Sequence, residues 1–488
     1  MTSPSLLSDS FRAVLRDRAS EPLVMAPSEG VTLTAQDIDG QAHDLGAALA
    51  ARRLAAGHLV VASVGNASIM PALVLACLRH GLPLMPVDRS TPPAELRALA
   101  TRWDAAAVLV GEGLDLRAPD DQPPDIAERQ RLPVGHGLAA WITTPCPAPG
   151  RHAPAVLLKL TSGSTGEPRA TATEERHLVA DVRHIAEAMD IGPRTRQFAV
   201  IPLSHSYGFS NLVLPLLWQG TPLLLRPQFV PTQVVADIVA AGLETFAGVP
   251  FMFDHLARHQ TLPRFDSLRL VVSAGARLSF DTVTAFHGAT GLKVRSFYGS
   301  SETGGICFDA SETLDPRVPV GHPMGATRVD LVPDVDAPEG SGRVRVSGPG
   351  VIDRYADTGG PAFDGTFLTG DYAHVDATGA HVLTGRVPSF VNVAGRKVHP
   401  REVEAALRAL PGVSDAVAMA IVDQVRGQAL GACLVSEANW DARAVRAALA
   451  SRLAPYKLPR VIVVTSALPL TDRGKVDRAA IARLLGEA

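Results

Sequence analysis

Between Leu45 and Val110, apolar stretches with helical spacing alternate with short runs rich in β-branched residues. The pattern predicts helices over residues 44–55 and 68–80 and strands over 59–64 and 84–87. Such alternation is what a parallel sheet with crossover helices requires. A second unit repeats it, with strands over 196–201, 222–225, 245–248 and 268–273 and helices over 211–219 and 232–241. After Gly340 the texture changes to short β-prone runs such as 343–347, broken by turn residues at 348–350 and 364–365. Past Gly385 the pattern gives helices over 399–409, 442–453 and 478–485 and strands over 415–422 and 428–435. The fold class is therefore α/β: a large N-terminal body of several subdomains, one of them β-rich, followed by a small α+β domain.

Two regions read differently. Residues 111–154 are rich in Pro, Asp, Gly and Arg with little periodicity, which predicts a surface connection holding at most short elements. Gly135, Gly137 and Ala140 fit a loose dinucleotide fingerprint there, but the residues before them are charged rather than an apolar strand, which argues against a cofactor loop. Residues 1–20 carry Asp9, Arg12, Arg16, Asp17 and Arg18 among helically spaced apolar positions, the pattern of a surface helix and not of a signal peptide. The most apolar stretch, 212–225, is interrupted by Gln219 and Gly220 and falls short of the roughly 20 residues a spanning helix needs, so no transmembrane segment is expected.

Composition narrows the function classes. The chain has 488 residues, 46% apolar and 19% charged, with a formal net charge of -3. At ~150 residues per folding unit this length holds about three units. Neither a disordered chain nor a nucleic-acid binder has this balance. Cys77, Cys146, Cys307 and Cys433 lack the paired spacing of a zinc site or redox dithiol, and read as free thiols of a cytoplasmic protein.

The chemistry concentrates after the β-prone run 156–160, which empties into Thr161-Ser162-Gly163-Ser164-Thr165-Gly166-Glu167-Pro168-Arg169. Glycines let backbone N–H groups converge on an anion, and four hydroxyls and a terminal cation add donors. A polar surface turn would explain Gly and Ser but not that whole set following a buried strand. This is not the common nucleotide loop, since Gly-Lys-Ser/Thr is missing and Gly474-Lys475 is followed by Val476, so a kinase or GTPase reading loses its main support.

The stretch resembles the phosphate loop of the acyl-adenylate-forming superfamily, which includes acyl-CoA synthetases, aryl acid ligases, adenylation domains and luciferases, with Arg169 in place of the usual lysine. Four further motifs of that superfamily occur in the expected order. Tyr298-Gly299-Ser300-Ser301-Glu302 resembles its adenine and metal motif, which implies the Tyr298 ring on adenine and Glu302 on Mg²⁺. Ser273-Ala274-Gly275-Ala276 is similar to the segment lining the other side of the adenine slot. Thr369-Gly370-Asp371 resembles the ribose motif, in which one carboxylate meets both ribose hydroxyls, and Gly385-Arg386 its second ribose contact. The run from Leu468 to Arg478, with Gly474-Lys475, resembles the catalytic-lysine signature. The resemblance implies an N-terminal domain over 1–385, a mobile C-terminal domain over 386–488, ATP and Mg²⁺ as cofactors, and CoA or a carrier-protein phosphopantetheine as thiol acceptor.

A carboxylate attacking the α-phosphate of ATP meets another anion, so preorganised cations and N–H groups are the chief requirement. Lys475, Mg²⁺ on Glu302 and the phosphate loop would supply them. The resemblance implies that the thiol step follows rotation of the small domain, with the hinge expected between Gly385 and Phe390. There Ser389 and Asn392 depart from the family pattern, while Val393-Ala394-Gly395-Arg396-Lys397-Val398 resembles the loop lining the thiol tunnel.

The acid-binding side is matched by Pro202-Leu203-Ser204-His205-Ser206-Tyr207-Gly208-Phe209. No Asp lies between Pro202 and Leu214 to hold an ammonium group, which disfavours an α-amino acid. His205 is placed beside the substrate carboxylate, with Tyr207, Val249 and Ser273 near the acyl pocket; a packing role for His205 is the rival reading. An aromatic acid is favoured over a medium-chain one. Transfer to an amine, giving an amide, and a nucleotide-binding regulatory protein without turnover are the alternatives, the latter prompted by Arg169, Ser389 and Asn392.

Overall fold

The computed structural model describes residues 5–111, 114, 116, 128–144, 146–162, 168–259, 261–334, 337–357, 362–386, 391–423, 427–436, 438–469 and 478–487. The fold is mixed α/β, and the chain divides into two compact units. The first comprises 1–89, 100–160 and 170–387, and the second 90–99, 161–169 and 388–488.

A nine-stranded sheet organises the first unit, in the order His322–Pro323, Gly304–Phe308, Val294–Ser300, Leu270–Ser273, Thr245–Gly248, Gln197–Ala199, Leu223–Leu225, Pro22–Ala26 and Val31–Thr34. Its middle strands are parallel and paired residue for residue, Phe198 with Phe246 and Phe246 with Val271. Such strands are covered on both faces, and Phe198 and Phe246 are fully buried with rings 5.4 Å apart, edge to face. A seven-stranded sheet runs Glu128–Gly135, Leu138–Thr144, Ala105–Gly111, Leu59–Ser63, Leu84–Pro86, Leu157–Ser162, Pro168–Thr173. The β-rich piece is a four-stranded antiparallel sheet of Arg328–Val332, Gly342–Ser347, Thr366–Val375 and His381–Arg386. Among the described residues, no helix is long and apolar enough to cross a membrane.

Three expectations need correction. The region 111–154 is no mere connection: Glu128–Gly135 and Leu138–Thr144 pair as an antiparallel hairpin that extends the seven-stranded sheet. Its turn is Gly135-His136-Gly137, all three at positive φ (86°, 54° and 69°), so the dinucleotide-like spacing there is turn chemistry. The charged residues of the edge strand hid a strand whose partner carries buried Trp141. The second correction is the helix placed at 44–55, which spans Ala35–Ala50 and starts at Thr34, whose side chain caps Asp37 N–H while the Asp37 carboxylate accepts from Thr34 N–H. That reciprocal capping box marks the true start. Third, the stretch at 211–219 opens as a π-helical turn, Phe209–Val213, before the α-helix Leu214–Gln219.

The N-terminal helix Leu6–Arg18 lays Leu7 and Phe11, both fully buried, against the first unit. It is tied down at both ends. Ser5 Oγ and Leu7 N–H donate to Glu175 at 2.6 and 2.8 Å, and Arg18 Nη1 donates to the carbonyls of Pro193 and Gly220 at 2.7 and 3.0 Å.

In the second unit, Val413–Asp423, Gly427–Ser436 and Val461–Thr465 form a three-stranded sheet whose apolar face packs on the helices Pro400–Arg408 and Ala442–Ala450. A small hairpin, Val391–Val393 with Arg396–Val398, turns through Ala394 and Gly395 at φ 50° and 86°. Both turn residues are left-handed, the two-residue hairpin geometry, and Asn392 Oδ1 accepts from Gly395 N–H at 2.9 Å.

Candidate functional site

In open α/β sheets, ligands bind beyond the carboxyl ends of the parallel strands. Four segments of the first unit emerge there. His205 and Tyr207 follow the strand Gln197–Ala199, Val249 follows Thr245–Gly248, Ser273 ends its strand with Gly275 and Ala276 just beyond, and Tyr298 to Glu302 close Val294–Ser300.

Tyr298, Asp371 and Arg386, distant in sequence, meet. Tyr298 OH donates to Asp371 Oδ2 at 2.8 Å, and Arg386 Nη1 lies 3.1 Å from Asp371 Oδ1. Strand register makes half of this clasp, because Asp371 and Arg386 are directly opposed on neighbouring antiparallel strands. Asp371 is 7% exposed, so protein donors replace most of its water. Burial raises the Tyr298 phenol well above its usual range and the Asp371 charge adds to this, so it remains a donor. Gly299 lets two strands approach: a Cβ there would lie 2.7 Å from Gly304 O.

Ser301 Oγ and Ser206 Oγ are 2.6 Å apart, joining the Tyr298 segment to the His205 loop. Glu302 Oε1 accepts from Tyr355 OH at 2.9 Å. Among the described residues no group of three or more His, Cys, Asp or Glu could hold a metal ion. A magnesium ion bound mainly through phosphates needs only one or two carboxylates, and Glu302 fits that requirement.

The loop 202–209 is tightly wound. A Cβ on Gly208 would sit 2.2 Å from Pro202 O, so only glycine closes the turn that precedes the π-helical segment. His205 caps the short helix Ser206–Gly208 and is 41% exposed at its side chain, with Nε2 turned inward, 3.6 Å from Asp88 Oδ2. Tyr207 OH donates to Val272 O at 3.0 Å and its ring stacks on Phe297 with centroids 5.6 Å apart. Burial pushes its phenol pKa up. Ser273 Oγ is buried with no hydrogen-bond partner among the described residues.

Thr161 and Ser162 end the strand Leu157–Ser162, and Arg169 lies in Pro168–Thr173. Gly163, Ser164, Thr165, Gly166, Ser389 and Lys475 lie outside the described residues, as does the side chain of Ser162. Three neighbours of the site carry no sequence motif: Asp88, Tyr355 and Lys159. Lys159 is 4% exposed on the strand leading into residue 161; burial lowers its pKa, opposed by the charges of Asp181 and Glu302. A lysine in an otherwise apolar run was the one available signal.

Comparison with known proteins adds to this geometry. Residues 11–356 match the family described as AMP-binding enzyme, and 402–475 match the AMP-binding enzyme C-terminal domain. The chain is 30% identical to a sulfoacetate–CoA ligase of Cupriavidus necator over 509 aligned positions, covering 98% of both chains. It is 29% identical to a feruloyl-CoA synthase of an Amycolatopsis species over 386 positions, 76% of this chain and 74% of the other. In fold it is similar to the o-succinylbenzoate CoA synthetase of Bacillus subtilis, with a TM-score of 0.80 at 19% identity, over 100% of this chain and 99% of that one.

Proposed function

Because the chain belongs to the AMP-binding enzyme family, we propose that the Tyr298–Asp371–Arg386 clasp holds ATP while a carboxylic acid, of aromatic type, is converted to its acyl-AMP. As an AMP-forming acid–thiol ligase, the enzyme works in two steps. The acid's carboxylate oxygen attacks the α-phosphorus and pyrophosphate leaves; a thiol then attacks the acyl carbon and AMP leaves. The observation carrying the nucleotide assignment is the clasp itself. One carboxylate is fixed from both sides by a phenol and a guanidinium, and each of its oxygens keeps a further lone pair with which a diol hydroxyl would pair.

The remaining roles follow from charge. The loop 161–169 with Arg169 would cradle the phosphates, Lys475 would stabilise the charge that develops as pyrophosphate departs, and Glu302 would hold Mg²⁺ against the phosphates. Magnesium, when bound, neutralises phosphate charge. Tyr355 OH donates to Glu302 Oε1 at 2.9 Å, which restrains the carboxylate. The ring of Tyr298, with Gly275 and Ala276, would flank adenine.

Support for an aromatic acid comes from the stacked Tyr207 and Phe297 rings, with Tyr207 OH on the carbonyl of Val272 next to Ser273 in the chain, and from the absence of a carboxylate between Pro202 and Leu214 to pair with an ammonium group. The thiol is that of CoA, with a carrier phosphopantetheine as the other acceptor of the same chemistry. A second reading, a short acid bearing another anionic group, is favoured by the full-length similarity to a sulfoacetate–CoA ligase.

Acid-dependent exchange of labelled pyrophosphate into ATP tests both. Benzoate, cinnamate, octanoate and sulfoacetate are compared first, and CoA and a phosphopantetheinylated carrier are then offered to the best acid. Exchange greatest with an aryl acid supports the proposal; exchange only with sulfoacetate favours the second reading. No exchange with any acid refutes the adenylation step.

A further inference from the structure

His205 stands 41% exposed, yet its Nε2 is enclosed and makes no hydrogen bond within 3.5 Å. The group facing that nitrogen is the carboxylate of Asp88, 3.6 Å away and 11% exposed. Nothing in the motifs predicts this meeting. Asp88 follows the strand Leu84–Pro86 of the seven-stranded sheet, whereas His205 belongs to a loop of the nine-stranded one.

Backbone contacts fix both partners. Asp88 O accepts from Ser63 Oγ at 3.1 Å, and His205 is held by its own N–H on Pro202 O at 3.2 Å and by Phe209 N–H on its carbonyl at 2.8 Å. Leu203 N–H is in turn anchored on Asn66 Oδ1 at 2.8 Å. The imidazole is therefore presented from a rigid turn with one nitrogen committed inward. Among the described residues its other nitrogen, Nδ1, makes no hydrogen bond and is not enclosed, which leaves it available to a ligand.

We propose that Asp88 is a positioning residue for His205: it keeps a proton on Nε2 and fixes the ring plane, so that Nδ1 is the atom presented to the incoming acid. This rests on the adenylation reading above. With an acid bound, the ring takes its second proton from the medium onto Nδ1, and that N–H donates a hydrogen bond to the substrate carboxylate, which stays ionised, so the imidazolium bridges Asp88 on one side and the acid on the other. At 3.6 Å the pair lies just beyond hydrogen-bond distance, and hydrogen bonds of this kind tighten when substrate binds. Dyads in which a carboxylate sets the tautomer of a working imidazole follow the same logic.

The test compares Asp88→Asn, Asp88→Glu, His205→Ala and the Asp88→Asn/His205→Ala double variant in pyrophosphate exchange, together with the imidazole ¹⁵N shifts of His205 in full-length protein. Asp88→Asn is expected to raise KM for the acid about tenfold, the scale of one hydrogen bond to a charged group, with KM for ATP unchanged. Asp88→Glu recovers part of the loss. In the His205→Ala background the Asn substitution has no further effect, because the two residues act as one unit. The wild-type ¹⁵N shifts report an Nε2–H ring, and Asp88→Asn redistributes the proton. Additive losses in the double variant overturn the proposal. So do equal changes in both KM values, or wild-type ¹⁵N shifts in folded Asp88→Asn. If the wild type gives no pyrophosphate exchange with any acid, it is the adenylation reading that fails, while the ¹⁵N comparison still decides the dyad.

Discussion

Replacing Tyr298 by Phe keeps the ring for stacking and removes only the hydroxyl that donates to Asp371 Oδ2 at 2.8 Å. Asp371 is 7% exposed, so water replaces that donor poorly, and Arg386 Nη1 at 3.1 Å serves the other oxygen. A hydrogen bond to a charged group contributes ~1.5–3 kcal/mol. Arg386 still holds the carboxylate in place, so the lower end of that range applies, about tenfold in an equilibrium constant. The expected result is a KM for ATP raised about tenfold, with kcat for exchange altered much less, because a clasp in the proposed role would bind ground state and transition state alike. Burial and the Asp371 charge raise the Tyr298 pKa, so the phenol is a donor at every pH below its ordinary value and the defect is constant from pH 6 to 9. The assay is pyrophosphate exchange at saturating acid, with thermal unfolding in parallel to register any loss of stability. An unchanged KM for ATP in folded Tyr298→Phe would refute the reasoning.

Other expectations are as direct. Lys475→Ala slows adenylation by roughly 10²–10³, the cost of losing one transition-state donor, and single-turnover acyl-AMP formation at the wild-type rate would remove the role assigned to Lys475. Lys293 and Asp309 form a 2.7 Å ion pair at 6% and 4% exposure, so Lys293→Met strands a buried carboxylate and destabilises by about 3–5 kcal/mol. Urea unfolding reads that loss, Lys293→Met/Asp309→Leu recovers much of it, and a wild-type midpoint for the single variant contradicts the argument. Iodoacetamide should label Cys146 in the folded protein and spare Cys77, Cys307 and Cys433, which are buried, as mass spectrometry before and after urea would reveal. Desolvation raises the Cys146 thiol pKa, so the thiolate is scarce at neutral pH and labelling accelerates as pH rises; a rate flat from pH 7 to 9 is inconsistent with that shift.

The α/β character was legible because period carries it. The buried strands Thr245–Gly248 and Leu270–Ser273 are continuous apolar or β-branched runs between turn signals, and the structure has strands at both. The hairpin at 128–144 was not legible, since an edge strand is charged in order to resist pairing with other chains and so resembles a loop. The residues proposed for the nucleotide are legible as motifs: the sequence singles out Tyr298, Asp371 and Arg386, and the fold brings them into contact. Asp88 and Tyr355 are not, because contacts between segments distant in the chain leave no local spacing to read, and Lys159 offers only a lysine within an apolar run. Glu302 and Ser301 were assigned without their partners, and it is Tyr355 and Ser206 that hold them.

The clamped first helix bears on how the protein can be trimmed. The family match begins at residue 11, inside that helix, so a recombinant fragment cut to it would discard Leu7 and both donors to Glu175. Leu7 alone represents ~1.5–3 kcal/mol of buried side chain, in the same core cluster as Phe11. Limited proteolysis of the intact chain should therefore spare the segment 6–18, and a tag is better joined ahead of Ser5 than in exchange for the residues after it.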